Sequence, residues 1–260
     1  MDESTVGEYW NRNADAWTSL SRAGYDTYRD ILNTPAFFAL LPPVNGLSGL
    51  DIGCGEGHNT RLLAARDARV SAVDIAERFI QHARGAEREE PRGIDYHVAS
   101  ASALPFAADT FDFAISTMCL MDVPNTSRAL SEAKRVIKPG GFLQFSIAHP
   151  CFDTAHRRNR RGADGLTYAI EVGRYFESQQ GDISEWTFGS APDDVRERYQ
   201  KFRTPRFTRT LSEWMNLVLD AGLAIERLSE PCPTEVMMAK HPSVQDASVV
   251  AYFLHIRARA

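Results

Sequence analysis

LDIGCGEGHNT, residues 50–60, holds the decision about this fold. Gly49-Leu50-Asp51-Ile52 ends a short apolar strand, Gly53, Gly55 and Gly57 follow at alternate positions, and a helical run starts at Asn59. Glycine between a strand and a helix lets the backbone turn sharply and lets a ligand press against bare main chain. The dinucleotide fingerprint G-x-G-x-x-G would need its third glycine at position 58, which is His58. The spacing is G-x-G-x-G instead.

Strand and helix patterns alternate outward from this loop. Arg69–Val73 is β-branched and alternating, and Ala76–Arg84 has helical spacing. Ile94–Val98 and Phe111–Ser116 read as two further strands. Pro124 marks a helix start, Ala129–Ile137 is helical, and Lys138-Pro139-Gly140-Gly141 turns the chain into a fifth strand, Phe142–Ile147. Farther on, Ser212 reads as an N-cap with Glu213 in the first turn, and the helix runs to Ala221 with Gly222 closing it. Strands at Leu223–Leu228 and Val249–Ile256, joined by a Pro-rich linker, bring the sheet to seven. The pattern predicts an α/β fold, a doubly wound, mostly parallel seven-stranded sheet with helices on both faces. Residues 1–45, with Tyr9, Trp10, Trp17, Tyr25, Tyr28, Phe37 and Phe38, read as an N-terminal helical lid on a main domain of residues 46–260. Residues 151–210 break the alternation and read as a substrate-side insertion after the fifth strand, with Thr167–Val172 strand-like within it.

Composition narrows the function. The chain has 260 residues, 43% hydrophobic and 24% charged, and a formal net charge of -5, which disfavours a broad grip on nucleic acid. Cys54, Cys119, Cys151 and Cys232 lie far apart with no CxxC pair, arguing against a zinc site or a disulfide framework and for a reducing cytoplasm. MDESTVGEYW lacks the pattern of a secretory signal. No run reaches the ~18–20 apolar residues of a membrane span. The expected setting is cytoplasmic, with no membrane partner.

Asp74, at the tip of Val73-Asp74-Ile75, is placed to accept from two ribose hydroxyls, or to cap the helix near Ala76, or both. Together with this element, Asp51-Ile52-Gly53-Cys54-Gly55-Glu56-Gly57, Leu104-Pro105-Phe106, Phe111-Asp112 and Ile137-Lys138-Pro139-Gly140-Gly141 resemble, in order, the motifs of class I S-adenosylmethionine-dependent methyltransferases. The resemblance covers about residues 45–150; the ends resemble bacterial small-molecule methyltransferases more loosely. It implies a Rossmann-like methyltransferase fold and S-adenosylmethionine as cofactor. Asp51, Gly53, Cys54, Gly55 and Gly57 would hold its methionine part, with Asn59 reaching the carboxylate or ribose. Asp74 would bind the ribose and Ile75 would pack on the adenine. The family often places an acidic residue before Leu-Pro-Phe for the adenine amino group; here Ser100 stands there with Ala101 beside it, leaving a serine oxygen or the Ala101 amide. Thr117 and Met118 would face the methionine end, unless they are core.

Methyl transfer from a sulfonium is an in-line displacement, needing alignment and exclusion of water but no metal. A hydroxyl or acidic carbon must lose a proton, whereas a neutral amine brings its own lone pair. His149, in SIAHPCF after the fifth strand, is the candidate base, with a structural histidine as the alternative. Tyr9 is the second catalytic candidate, on a helix where Trp10 and Trp17 could turn aromatic faces to the sulfonium or could simply pack. HRRNRR, residues 156–161, reads as a solvated arginine-rich loop, with an anion site for the substrate as the other reading. The expected activity is methyl transfer to nitrogen or oxygen of a small-molecule acceptor. The alternatives are an RNA or protein methyltransferase, or a catalytically silent cofactor-binding protein. A homo-oligomer is compatible with every motif.

Overall fold

Strands apolar on both sides need cover on both sides, and helices supply it. The computed structural model describes residues 1–260. The chain opens with α1 (Glu3–Arg22), a π-helical segment (Tyr28–Asn33) and α2 (Thr34–Leu40). There follow β1 (Ser48–Ile52), α3 (His58–Ala64), β2 (Arg69–Asp74), α4 (Glu77–Glu89) and β3 (Asp95–Val98). β4 (Phe111–Thr117), a 3-10 turn (Leu120–Asp122), α5 (Thr126–Val136) and β5 (Ile137–Ala148) complete the alternation. Two hairpins come next, β6 (His156–Arg161) with β7 (Thr167–Gly173), and β8 (Gln180–Trp186) with β9 (Phe202–Phe207), the second enclosing the short α6 (Asp193–Arg196). Last are α7 (Leu211–Asp220), β10 (Ala224–Ser229), α8 (Glu235–Lys240), a 3-10 segment (Pro242–Ser248) and β11 (Phe253–Arg259).

Seven strands form one sheet in the order β10-β11-β5-β4-β1-β2-β3, parallel throughout except at β11, which runs against both its neighbours. The alternation is visible in the cores. Leu50 and Ile52 join Ala114, Leu143 and Phe145 in one cluster with Leu130 of α5 and Trp214 of α7. Phe113, Ile115 and Phe142 join Phe37 of α2 and Leu63 of α3 in another. Successive residues of one strand thus serve opposite layers. The doubly wound sheet predicted from the alternation is the one observed.

Several boundaries differ from expectation. HRRNRR is a strand, β6, rather than a loop: Arg160 pairs with Glu171 of β7, and Asp246 takes Asn159 and Arg161 at 2.5 and 3.1 Å. The cap of α7 is Thr210, not Ser212; its hydroxyl receives the Glu213 N–H while Glu213 accepts from the Thr210 N–H, a reciprocal capping box. The last strand starts at Phe253 rather than Val249, because Pro242–Ser248 forms 3-10 turns. Within β5, the ladder to β4 jumps from Ile137 to Phe142, and residues 138–141 turn through Gly140 at φ +80°.

The N-terminal helix and the second hairpin meet over the sheet. Asn13 of α1 donates to the Arg203 carbonyl and accepts from the Arg203 N–H, both at 3.0 Å, so one side chain stands in for a neighbouring strand. Trp17 packs against Trp186, Phe188 and Phe202 with ring centroids 4.9–5.4 Å apart.

Candidate active site

The chain leaves β1 for β2 and β3 on one side and returns to β4 on the other, which creates a switch point at the carboxyl ends of β1 and β4. Open α/β sheets bind ligands there. A cavity of about 800 Å³ opens at this place and runs on beneath α1 and the hairpins.

The glycine loop forms its floor. Gly53 and Cys54 donate N–H groups to the Val73 carbonyl at 2.8 and 3.0 Å, which locks the loop against β2. At Gly53 a Cβ would lie 2.1 Å from Cys119 Sγ, so the residue is bare because the protein itself fills the space. Gly55 is different. Its φ is +55° and nothing lies within 4 Å of where its Cβ would be, so this glycine presents open main chain to the cavity.

Asp74 holds the loop from the other side. One carboxylate oxygen accepts from the Gly55 N–H and the other from the Ala76 N–H, both at 2.8 Å. Burial pushes this carboxyl up to about 6, and the two amides pull against it. It therefore caps α4's approach while bordering the cavity. Each oxygen keeps a free lone pair, so two vicinal hydroxyls find two acceptors. Asn59 donates to Thr117 Oγ1 at 2.8 Å and accepts from Thr34 at 3.0 Å, linking α3, β4 and α2 at the wall. Met118, next along, holds φ at +53°, a conformation uncommon outside glycine.

Eleven of the thirteen residues expected at the cofactor border this cavity: Gly53, Cys54, Gly55, Asn59, Asp74, Ile75, Ser100, Ala101, Thr117, Met118 and Trp17. Asp51 and Gly57 do not. Asp51 is fully buried under the loop, accepts from Thr60 at 2.6 Å, and is pushed up to about 7 by burial. Gly57 packs against Tyr96.

Neither residue expected to be catalytic reaches the cavity. His149 is buried behind the β5 end. Its Nδ1 receives the Cys151 N–H at 3.2 Å and its Nε2 meets Glu230 at 2.7 Å, so both ring nitrogens are used in holding the turn. Tyr9 lies under the guanidinium groups of Arg12 and Arg203, off the cavity wall. From the N-terminal segment, Trp10 and Trp17 of α1 do line it, with Tyr25 and Tyr28.

Other residues at the wall had no motif to announce them. Glu3 borders the cavity and accepts the Ser100 hydroxyl, so a carboxylate from α1 stands where the sequence after β3 lacks one. α1 comes this close because it has Gly7 where a Cβ would sit 3.2 Å from Ile75. Arg22 and Arg29 converge on Glu56 of the glycine loop, at 3.0 and 3.5 Å, tying the N-terminal segment to the floor. The π-helical turn delivers Tyr28, Arg29 and Asn33 to the wall together. Past β4, Asp122 borders the cavity with Asp153 and Arg206, which pair at 2.5 Å. Phe152, Phe207 and Trp214 line it as well.

Comparison with known proteins fits this geometry. Residues 50–145 match the family model described as "Methyltransferase domain". A solved S-adenosylmethionine-dependent methyltransferase from Mesorhizobium loti is 28% identical, with a TM-score of 0.70 over 87% of this chain and 96% of that one. Residues 50–145 form a class I S-adenosylmethionine-dependent methyltransferase domain. Among curated relatives, the malonyl-[acyl-carrier protein] O-methyltransferase of Pectobacterium atrosepticum is 30% identical over 142 residues, 54% of each chain. The demethylmenaquinone methyltransferase of Tropheryma whipplei is 36% identical over 102 residues, 39% of this chain and 42% of that one. The chain spans about half or less of the length of these two curated relatives. The methyltransferase domain's cofactor fits the residues present: open main chain at Gly55 and paired acceptors on Asp74 suit an amino-acid tail and a ribose.

Proposed function

We propose that this protein transfers the methyl group of S-adenosylmethionine to a nitrogen or oxygen of a small-molecule acceptor, in line and without a metal. The observation that carries this reading is one continuous cavity of about 800 Å³, bordered both by Gly55 and Asp74 of the floor and by aromatic walls. Cavities of roughly 300–1,000 Å³ enclose small ligands. When bound, the cofactor supplies an electrophilic methyl on a sulfonium whose charge disappears on transfer.

The chain's own residues orient and exclude water. Gly53, Cys54, Gly55, Asn59, Thr117 and Met118 border the methionine end, Asp74 takes the ribose hydroxyls, and Ile75, Ser100 and Ala101 flank the adenine. Glu3 serves the adenine amino group through its place beside Ser100. Trp10 and Trp17 close the cavity from α1, making residues 1–45 a lid, and residues 151–210 form the acceptor side. Cytoplasm is the proposed compartment; no helix is long and apolar enough to cross a membrane.

The arginine-rich strand favours the small-molecule reading over an RNA acceptor. Arg160 and Arg161 are ion-paired, and Arg157 stacks 4.3 Å from the Tyr252 ring. The test is incubation with methyl-labelled S-adenosylmethionine and cell extract, separated into small-molecule, RNA and protein fractions. Label in the small-molecule fraction supports the reading; label confined to RNA or protein, or no label, overturns it.

A further inference from the structure

Seven carboxylates border the cavity, and six of them are held. Glu3 receives Ser100, Asp26 the Arg29 N–H, Glu56 two arginines, Asp74 two amides, Asp153 receives Arg206, and Asp246 receives Asn159 and Arg161. Asp122 alone has no hydrogen-bond partner for its side chain. It is partly buried, borders the cavity, and stands three residues past Cys119, whose sulfur packs against Gly53 of the floor. A partly buried carboxylate that borders a cavity and makes no hydrogen bond to the protein has both oxygens free for a ligand there.

We propose that Asp122 accepts a proton from the acceptor, and that the acceptor is an aromatic or heteroaromatic molecule whose nucleophile is a hydroxyl or a ring N–H. This rests on the methyltransferase reading above. The aromatic body follows from Phe152, Phe207 and Trp214, which line the same cavity; Phe152 and Phe207 adjoin Asp153 and Arg206, which face Asp122, and β9 packs against the Leu120–Asp122 turn. In the step, the acceptor heteroatom forms its bond to the methyl carbon as the carbon–sulfur bond breaks with its pair on sulfur. The heteroatom's proton passes to an Asp122 carboxylate oxygen and from there to solvent.

The groups facing Asp122 set when it can do this. Arg206 of β9 favours its ionised form, Asp153 after β5 opposes it, and Cys119 lies on the same turn. Burial dominates and pushes its carboxyl up to about 7. Only the ionised form accepts a proton, so turnover rises as pH rises through about 7 and then levels.

The experiment uses the full chain, tritiated-methyl donor and a panel of catechol, 4-hydroxybenzoate, indole, benzoate and N,N-dimethylaniline, the last having no proton to lose. Wild type, Asp122→Asn and Asp122→Glu are compared from pH 5.5 to 9, and calorimetry with S-adenosylhomocysteine runs on each. The expected result is transfer to O–H or N–H members, with kcat at least 100-fold lower in Asp122→Asn, the range of general-base catalysis. Cofactor-product affinity stays within twofold, and Asp122→Glu keeps the rising pH profile. Asp122→Asn within threefold of wild type, dimethylaniline or benzoate as the best acceptor, or no transfer despite product binding would each overturn the proposal. Failure to bind S-adenosylhomocysteine in wild type would instead remove the methyltransferase reading beneath it.

Discussion

Gly55 and Gly53 show how two glycines of one motif exist for different reasons. Gly53 is closed off by Cys119, so a larger residue there strikes the protein. Gly55 has free space on its Cβ side and demands glycine only by its φ of +55° and by what approaches it. A left-handed conformation costs a non-glycine residue roughly 1–2 kcal/mol. Gly55→Val is therefore expected to fold, with a modest loss in thermal stability, while its branched side chain blocks the cavity floor. S-adenosylhomocysteine affinity measured by calorimetry should fall at least tenfold. Wild-type affinity in this variant would mean that nothing binds against that main chain.

At the scale of elements, the strands were legible because apolar alternation is a local property. The site was legible where motif residues sit at strand ends, as at Asp74 and Thr117. What the sequence could not disclose was contact across long separations. Glu3 meets Ser100 over 97 positions, and neither residue signals the other. His149 and Tyr9 have the chemistry of catalysts, but only tertiary packing turns them from the cavity. β6 lacked an apolar face, because its partners are the carboxylates of Glu171 and Asp246. Asp122 had one cue, an acidic residue soon after a strand that borders the cofactor loop. The pairing of α1 with the loop after β3 makes its own prediction. Glu3→Gln should weaken S-adenosylhomocysteine binding about fivefold to thirtyfold, consistent with losing about 1–2 kcal/mol from a charged hydrogen bond. Adding Ser100→Asp should recover most of that loss. Equal affinity in Glu3→Gln and wild type would leave α1 as packing alone.

Across the whole molecule, burial has raised four acids. Asp26 and Asp74 are pushed up to about 6, and Asp51 and Asp122 to about 7. Between pH 4 and 7 these groups hold more protons when folded than when unfolded, so their contribution to stability falls as pH rises. Carboxylates lowered by hydrogen bonds and ion pairs, such as Asp15, Asp112 and Glu132, act in the opposite sense but mostly below pH 5, and above it only His58 and His255, lowered by burial, oppose the four acids. The melting temperature should therefore be higher at pH 5 than at pH 7.5. Cofactor affinity should run the other way, since ribose hydroxyls favour ionised Asp74 and binding strengthens as pH rises through about 6. A melting temperature that climbs steadily from pH 5 to 7.5 would contradict the reading of these acids. The N-terminal helices, the glycine loop and the second hairpin are joined by Glu56, Asn13 and Trp17, so ligand binding and stability are read on the same body.

Calorimetric titration of S-adenosylhomocysteine into wild type and Asp74→Ala at pH 7.5 tests the central claim most directly. The expectation is saturable one-site binding in wild type and a loss of roughly 1–3 kcal/mol in the variant, about five- to 150-fold in Kd. No binding in wild type, or the same Kd in both, would contradict it.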